Sequence, residues 1–372
     1  MVSAALTMAL AQLGSLNALE QTAEHRFWHS WIGKSLPSAD TIGRVFTKID
    51  SDGLRRIVKR VYSKLKRNKA LKPLYGGMFA LIIDGHESHS SYRRCCKGCL
   101  KRVIHKTSGD TTQYYHRQVM AQLVCGNFYI PLDIEPQAPG EDEVAAAERL
   151  LRRVFTDYPK AFSVIILDAL YLRAGFFWLA LEHGRDVIAV LKDDRRDLFK
   201  DAEGLFKFEE PTVYQYGKVK RECWDIEGFT TWTQFANKIR VVRSLETTCV
   251  KRQLNKKRER ITSEWMWAGT IPKAALPTEE FIHLAHKRWK IENEGFNELV
   301  NSWHANHVYK HDTVGIEAFW LLIMLSFTLF HAFINRNLKP EIRYRYSKLH
   351  WARLITSALY LQRTDIELSF PP

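Results

Sequence analysis

The sequence predicts an α/β protein in which a mixed sheet is flanked by helices, follows a helical region and is interrupted by a β-rich insertion. Three apolar runs, at 78–84, 162–168 and 186–191, have the length and composition of buried central strands. A helical pattern at 172–184 separates the last two runs. Two β-patterned stretches flank Gly126 and Asn127, and this spacing indicates an antiparallel hairpin.

Composition narrows the class of partner. The chain has 372 residues, is 46% hydrophobic and carries a net charge of +14, so it can bury a core of one large or two ordinary domains. A basic excess of this size favours a polyanionic partner, nucleic acid before an anionic membrane. Six cysteines in so long a chain do not form a disulfide framework, which favours a reducing compartment.

The first part of the chain reads as helical. Ser38 is predicted to cap a helix, with Thr41 at the capping-box position. The stretch 54–72 combines an apolar helical stripe with nine Lys and Arg and no acid. That face is either solvated or contacts DNA phosphates, and we favour DNA contact. The residues predicted to make it are Arg55, Arg56, Lys59 and Arg60.

The rest of the chain divides by changes of period. After the hairpin come a helix at 141–155, a strand, the helix at 172–184 and another strand. Short aromatic-rich strands are predicted within 195–272, at 211–219, 229–235, 238–246 and 263–271, with a basic run at 251–260 between the last two. The predicted regions are a helical DNA-binding region at 1–75, the first part of the core at 76–194, the insertion at 195–275, the second part of the core at 276–335 and a basic helical tail at 336–372.

One stretch, 318–334, is apolar enough to resemble a membrane span. It is short for a span and contains Ser326, Thr328 and His331. A buried core helix is the favoured interpretation, and a membrane-attached protein is the alternative.

Three acidic residues stand where a metal site would need them. Asp84 and Asp168 each end a predicted buried strand, and carboxylates at neighbouring strand ends repel one another unless a cation lies between them. A third carboxylate is expected from the helical stretch that follows Pro277. On that helix Arg288 and Glu292 share a face, whereas Glu294 points elsewhere. A simple surface ion pair is the alternative for Arg288 and Glu292.

These acidic residues lie in three motifs, "LIIDGHE", "VIILDALY" and "RWKIENEGFNEL", whose layout resembles the insertion-sequence DDE transposases. The specific resemblance is to the branch with a β-strand insertion before the catalytic glutamate, and it covers roughly residues 36–335. In that branch the glutamate lies in a Tyr-x2-Arg-x3-Glu-x6-Lys signature. Arg288 and Glu292 match its centre, while Ala285 and Leu299 occupy the Tyr and Lys positions.

The resemblance implies an RNase H-like core and a cut-and-paste DNA transposase acting in the cytoplasm, at the nucleoid. Asp84, Asp168 and Glu292 would be catalytic and would hold two Mg²⁺ or Mn²⁺ ions. Double-stranded DNA, as transposon ends and target, is the implied partner of a homodimer. Arg288, Lys287 and Lys290 are the implied DNA contacts on the helix, and His286 is a further candidate for the missing outer ones.

Tryptophans of the insertion would hold the transposon end by stacking on a base. Trp232, Trp265 and Trp267 are the candidates, and packing of the insertion's own core is the favoured alternative for each. Two other functions remain open for the whole chain. One is an RNase H-like nuclease that cuts without joining, and the other is a domesticated, catalytically silent DNA-binding protein.

A cysteine cluster follows the first predicted strand. Cys96 and Cys99 have the C-x2-C spacing of a zinc site, and Cys95 precedes them. His89, His105 and His116 are near in sequence, but the spacing identifies no second pair of ligands. Zn²⁺ binding and free thiols both remain open, with free thiols favoured. His86 and Glu87 follow Asp84 closely enough to support the catalytic site.

Overall fold

A computed structural model describes residues 1–126, 128–192, 196–252 and 257–360, with side chains up to residue 357. Asn127 of the predicted turn, residues 253–256 of the basic run and residues 361–372 of the predicted tail lie outside the described residues.

Thirteen α-helices occur in the described part of the chain. They are α1 (Val2–Leu10), α2 (Leu16–Glu20), α3 (Phe27–Ile32), α4 (Ala39–Phe46), α5 (Ser51–Arg67), α6 (Glu143–Asp157), α7 (Ala174–Glu182), α8 (Asp197–Phe206), α9 (Thr278–Ala285), α10 (Asn297–Asn301), α11 (Thr313–Asn337), α12 (Pro340–Arg343) and α13 (Lys348–Tyr360). Short 3₁₀ turns lie at Tyr75–Gly77, Ala169–Tyr171 and His286–Arg288, and a π-helical turn covers Ile291–Phe296.

Among the described residues, ten strands form one sheet. They are β1 (Ala80–Ser91), β2 (Leu100–Ile104), β3 (Thr111–Val124), β4 (Tyr129–Pro136), β5 (Val164–Leu167), β6 (Asp186–Val190), β7 (Thr212–Tyr216), β8 (Val219–Phe229), β9 (Ile239–Lys251) and β10 (Arg258–Gly269).

The order of the strands confirms the predicted RNase H-like mixed sheet. The sheet runs β2-β3-β1-β5-β6-β10-β9-β8-β7, and β4 pairs with the second half of β3. Strands β1, β5 and β6 are parallel, and β3 and β4 form the predicted antiparallel hairpin beside β1. Strand β10 pairs with β6, so the β-rich region continues the core sheet instead of forming a separate one.

Helices cover both faces of the sheet because the central strands carry apolar residues on both faces. On β1, Ala80 and Ile82 belong to the core shared with α1, α4 and α11. Leu81 and Ile83 belong to the opposite core, shared with α6 and α7.

Helix α11 is the predicted apolar helix at 318–334, extended at both ends. By length and composition it is apolar enough to span a membrane, but it is mostly buried inside the protein. Its apolar residues pack against the sheet and the N-terminal helices, which supports the interpretation as a core helix.

The cap predicted at Ser38 is confirmed, and Asp142 provides a further one that was not predicted. Ser38 accepts a hydrogen bond from the backbone N–H of Thr41 at the start of α4, at 3.3 Å. Asp142 caps α6 through the N–H of Ala145.

Several predicted boundaries were wrong. Strand β1 does not end at Asp84 but runs seven residues further, because its second half continues to pair with β3 beyond the end of β5. Strands β2 and β8 and helix α8 were not predicted. The stretch 229–235 is not a strand: beyond Phe229 it turns, and Trp232 and Phe235 pack on Phe177.

Candidate active site

Asp84 and Asp168 lie side by side because their strands are parallel and in register. Ile82 of β1 is the partner of Ile166 on β5, so the residues two positions further along, Asp84 and Asp168, are level with each other. Each carboxylate accepts a hydrogen bond from the next backbone N–H, at 3.0 Å from Gly85 and 2.8 Å from Ala169. These bonds fix both side chains at the same edge of the sheet.

Glu292 reaches this edge from a distorted helix. The stretch predicted as one α-helix consists of α9, a 3₁₀ turn, a π-helical turn containing Glu292, and α10. The π-turn packs closely on the sheet, since a Cβ on Gly295 would collide with the side-chain oxygen of Gln122 on β3. π-Turns of this kind occur often at functional sites because they widen the helix locally.

One guanidinium nitrogen lies within 4 Å of all three carboxylates. Nη1 of Arg288 lies 3.1 Å from Oε1 of Glu292, 3.6 Å from Oδ2 of Asp84 and 3.9 Å from Oδ2 of Asp168. The Arg288 side chain is only 4% exposed, so it is not a surface ion pair with Glu292. Three carboxylates drawn from distant parts of the chain therefore converge on one cationic group.

The ionisation of Asp84 is perturbed. Burial raises the pKa of Asp84 to about 7. The positive charge of Arg288 opposes the rise, and the negative charges of Glu292 and Asp168 add to it. Crowded carboxylates with one raised pKa are a typical feature of sites that bind a cation or transfer a proton.

The oxygen donors fit a hard divalent metal such as Mg²⁺ or Mn²⁺. Asp84, Asp168 and Glu292 supply only carboxylate oxygens, the ligands that these ions prefer. The exposed fraction of the side chains rises from 14% at Asp84 to 33% at Asp168 and 43% at Glu292, so the cluster opens to solvent on one side. A phosphate group can approach from that side.

Glu294 and Glu298, the two glutamates that follow Glu292, have different partners. Glu294 pairs with Lys290, and Glu298 accepts hydrogen bonds from His331 at 2.8 Å and Lys348 at 2.6 Å. Burial alone would raise the pKa of Glu298, but the bond and charge of His331, aided by Lys348, lower it to about 2. Among the three glutamates, only Glu292 is paired with the arginine that contacts both aspartates.

A second polar group beside the triad was missed by sequence reasoning. Glu143, the first residue of α6, lies against the backbone of Gly85 and accepts hydrogen bonds from Tyr171 at 2.5 Å and Arg117 at 2.9 Å. Tyr171 follows Asp168 in the "LDALY" motif. That proximity was a possible signal for Tyr171, whereas nothing in the local sequence of Glu143 indicated a place beside Asp84.

His86 and Glu87, predicted to support the site, face different neighbours. His86 stacks on Phe296 of the π-turn, with ring centroids 4.7 Å apart, and contacts Asn306. Glu87 pairs with Arg102 on β2. His86 therefore packs against the helix that carries Glu292, and Glu87 does not.

The predicted DNA contacts on α5 differ in exposure. Arg56 and Arg60 are exposed, and Lys59 is half-buried and pairs with Asp157. Arg55 turns inward instead: it pairs with Asp133 of β4 and Glu317 of α11, and its side chain is 12% exposed. The prediction that Arg55 contacts DNA is therefore wrong, because its N–H donors already bind buried acceptors.

The aromatic and basic residues predicted near the helix are partly buried. Trp267 is 2% exposed and Trp232 is 8% exposed, so both are buried as the favoured interpretation predicted, but they pack in the two main cores and not in a separate core of the insertion. Trp265 is half-buried and lies edge-on to Trp289, with ring centroids 5.8 Å apart. Lys287 is half-buried, and burial lowers its pKa.

The two departures from the signature point inward. Ala285 and Leu299 are buried in the core shared with α11. Lys290 forms an ion pair with Glu294. Nε2 of His286 lies 2.8 Å from Oε1 of Glu246. A Tyr hydroxyl at 285 or a Lys charge at 299 would have to be desolvated here, which explains why apolar residues fit these positions.

Cys96 and Cys99 lie away from the triad, in the connection between β1 and β2. Their sulfur atoms are near imidazole nitrogens of His116 and His311. The six cysteines all lie among the described residues, and none forms a disulfide.

Comparisons with known proteins point to one family. A family model described as the transposase DDE domain matches residues 81–329, a range that includes both aspartates and Glu292. No curated protein matches the sequence. The structure of the NurA nuclease from Sulfolobus solfataricus is 14% identical, over 63% of this chain and 84% of that one. Its TM-score of 0.27 is too low to indicate a shared fold.

Proposed function

Because the chain belongs to the transposase DDE domain family, we propose that it cuts DNA at the ends of an insertion sequence and joins the freed ends to target DNA. Members of this family act on DNA with divalent metal ions. The observation that carries the proposal is the convergence of Asp84, Asp168 and Glu292 on Arg288.

In this proposal the three carboxylates bind Mg²⁺ or Mn²⁺. Two bound ions would activate the attacking water or 3′-hydroxyl and stabilise the leaving oxygen. Asp84 and Asp168 hold fixed positions on the sheet because the backbone N–H groups of Gly85 and Ala169 orient them. Glu292 is the most exposed of the three and completes the site from the helix side.

Arg288 has two roles in the proposal. Without metal it offsets the repulsion among three carboxylates, as the opposing effect on the pKa of Asp84 indicates. With DNA bound, its planar guanidinium suits a phosphate oxygen beside the triad. Its nitrogen lies within 3.9 Å of all three acids.

DNA beyond the cleaved bond would lie along basic residues that are exposed at Arg56 and Arg60 and half-buried at the other positions. On α5, Arg56, Lys59 and Arg60 would contact the DNA phosphates. On the helix beside the triad, Lys287 and Lys290 would do so. Trp265 is the candidate for stacking on a base. Two transposon ends must be brought together, so we propose that the protein acts as a homodimer on DNA in the cytoplasm.

The experiment uses a linear DNA that carries the gene's native flanking sequence, a supercoiled target plasmid, and either Mg²⁺ or EDTA. We expect metal-dependent cuts at defined flank positions, followed by covalent joining of the cut ends to the plasmid. Cuts without joined product would support a nuclease that does not join. Tight binding without any cut would support a silent DNA-binding protein.

Metal binding to the triad is expected to weaken as the pH falls. The pKa of Asp84 is raised to about 7, so below that pH a proton must leave before a metal binds. The apparent affinity for Mn²⁺ should fall by up to roughly tenfold per pH unit below the pKa and level off above it. Isothermal titration between about pH 6 and about pH 8, with Asp84→Asn to identify heat from this site, measures the effect. An affinity that is constant across this range contradicts the prediction.

A further inference from the structure

Four potential metal ligands come together from three separate parts of the chain. Cys96 and Cys99 lie between β1 and β2, His116 lies on β3, and His311 lies just before α11. The four ligand atoms are all within 4.8 Å of one another. His311 is more than two hundred positions from Cys99 in sequence, which is why the sequence showed no second ligand pair.

Four of the six distances between ligand atoms agree with a tetrahedral site, and the other two are within 4.8 Å. The two sulfur atoms are 3.7 Å apart, Nε2 of His116 is 3.4 Å from Cys96 Sγ and 3.3 Å from Cys99 Sγ, and Nε2 of His311 is 3.5 Å from Cys99 Sγ. Tetrahedral Zn²⁺, with bonds of about 2.3 Å to sulfur and about 2.0 Å to nitrogen, would separate two sulfurs by about 3.8 Å and a sulfur and a nitrogen by about 3.5 Å.

The loop that carries the cysteines is packed against the start of α11. A Cβ on Gly98 would lie 2.7 Å from the Cγ2 atom of Thr313, so glycine is required for this close approach. Cys99 is buried and Cys96 is half-buried. The loop is therefore held at the place where His311 can reach it.

We propose that Cys96, Cys99, His116 and His311 bind one structural Zn²⁺ ion that fastens the connection between β1 and β2 to the start of α11. Two thiolates and two imidazoles in a closed tetrahedral set are typical of structural zinc and differ from the oxygen-only donors of the triad. The proposal does not depend on the transposase activity.

The site would give order to a strongly basic connection. Arg93, Arg94 and Lys97 are exposed on it, and their mutual repulsion opposes a compact loop. Four ligands from three segments fix this connection relative to β3 and to α11. The zinc site thereby holds a group of exposed cations at a defined place on the surface.

The test measures zinc in protein purified without a metal-affinity tag from cells grown with added zinc. We expect about one zinc per chain in the wild type and less than about a tenth of that in Cys99→Ser and in His311→Ala. Cys95→Ser and His105→Ala are matched controls, because both residues are exposed and near the cluster in sequence but are not among its four ligands. Both controls should keep the wild-type zinc content.

A second measurement covers variants that fail to fold. Wild-type protein stripped of metal is titrated with Co²⁺, whose absorption reports tetrahedral thiolate coordination, and His311→Cys should retain the metal with a changed spectrum. Zinc retained in both Cys99→Ser and His311→Ala overturns the proposal. So does a wild-type chain without zinc that shows no tetrahedral Co²⁺ spectrum, or a Cys96–Cys99 disulfide found by thiol titration.

Discussion

Glu292→Gln is expected to reduce DNA cleavage by about a thousandfold or more, equivalent to about 4 kcal/mol of transition-state stabilisation. Gln keeps the size of the side chain but removes the charge that balances Arg288 and that a divalent ion requires. Folding should be nearly unaffected, because the Glu292 side chain is 43% exposed and lies at the open side of the site. Cleavage rates on the gene's own flanking DNA in Mg²⁺ measure the effect.

The chain provides a close control for this substitution. Glu294 lies two residues further on, is 39% exposed and pairs with Lys290, as Glu292 pairs with Arg288 four residues earlier. Glu294→Gln removes the same charge from the same helical stretch and should retain nearly wild-type cleavage. Equal losses in the two variants would show that the helix needs negative charge generally, and would contradict a metal-binding role specific to Glu292.

Arg55→Ala is expected to lower the free energy of unfolding by about 3–5 kcal/mol. Arg55 links three elements: its Nε donates to Asp133 on β4 at 2.9 Å, it pairs with Glu317 on α11, and it extends from α5. Asp133 is 3% exposed and Glu317 is 17% exposed, so removal of Arg55 leaves buried carboxylates with less compensation. Urea denaturation followed by circular dichroism measures the change.

The adjacent residue supplies the comparison. Arg56 is 70% exposed and pairs only with Asp50 among the described residues, so Arg56→Ala should cost no more than about 0.5 kcal/mol. DNA affinity should show the reverse ranking when both folded variants are compared, since Arg56 is the residue available to phosphate. An Arg55→Ala protein as stable as the wild type would show that Arg153, which also pairs with Asp133, is sufficient alone.

The sequence was most informative where one local pattern decides the structure. Buried apolar runs predicted β1, β5 and β6, and an acid after each of two such runs predicted the pairing of Asp84 with Asp168 at one edge. The spacing of Arg288 and Glu292 predicted their contact, although the π-turn around Glu292 was not foreseen. Helical spacing of four residues survives that distortion.

Contacts between segments that are distant in sequence could not be predicted from local sequence patterns. Arg55 lies in a run of bases that reads as a DNA-binding face, and only the approach of β4 and α11 turns it inward. His311 and Glu143 gain their neighbours in the same way, from chain that is remote in sequence. Strand β8 was missed because its polar residues alternate irregularly, and its position is determined by pairing with β7 and β9.

The pairing of β10 with β6 has a mechanical consequence. Strand β10 pairs with β6 through Trp267, Ala268 and Gly269, and β6 pairs with β5. The β-rich region and the strand leading to Asp168 therefore belong to one continuous hydrogen-bonded sheet. If DNA binds at the outer strands, as proposed, its pull would pass through these hydrogen bonds into β6 and β5. The angle of the bound DNA and the position of Asp168 would then change together.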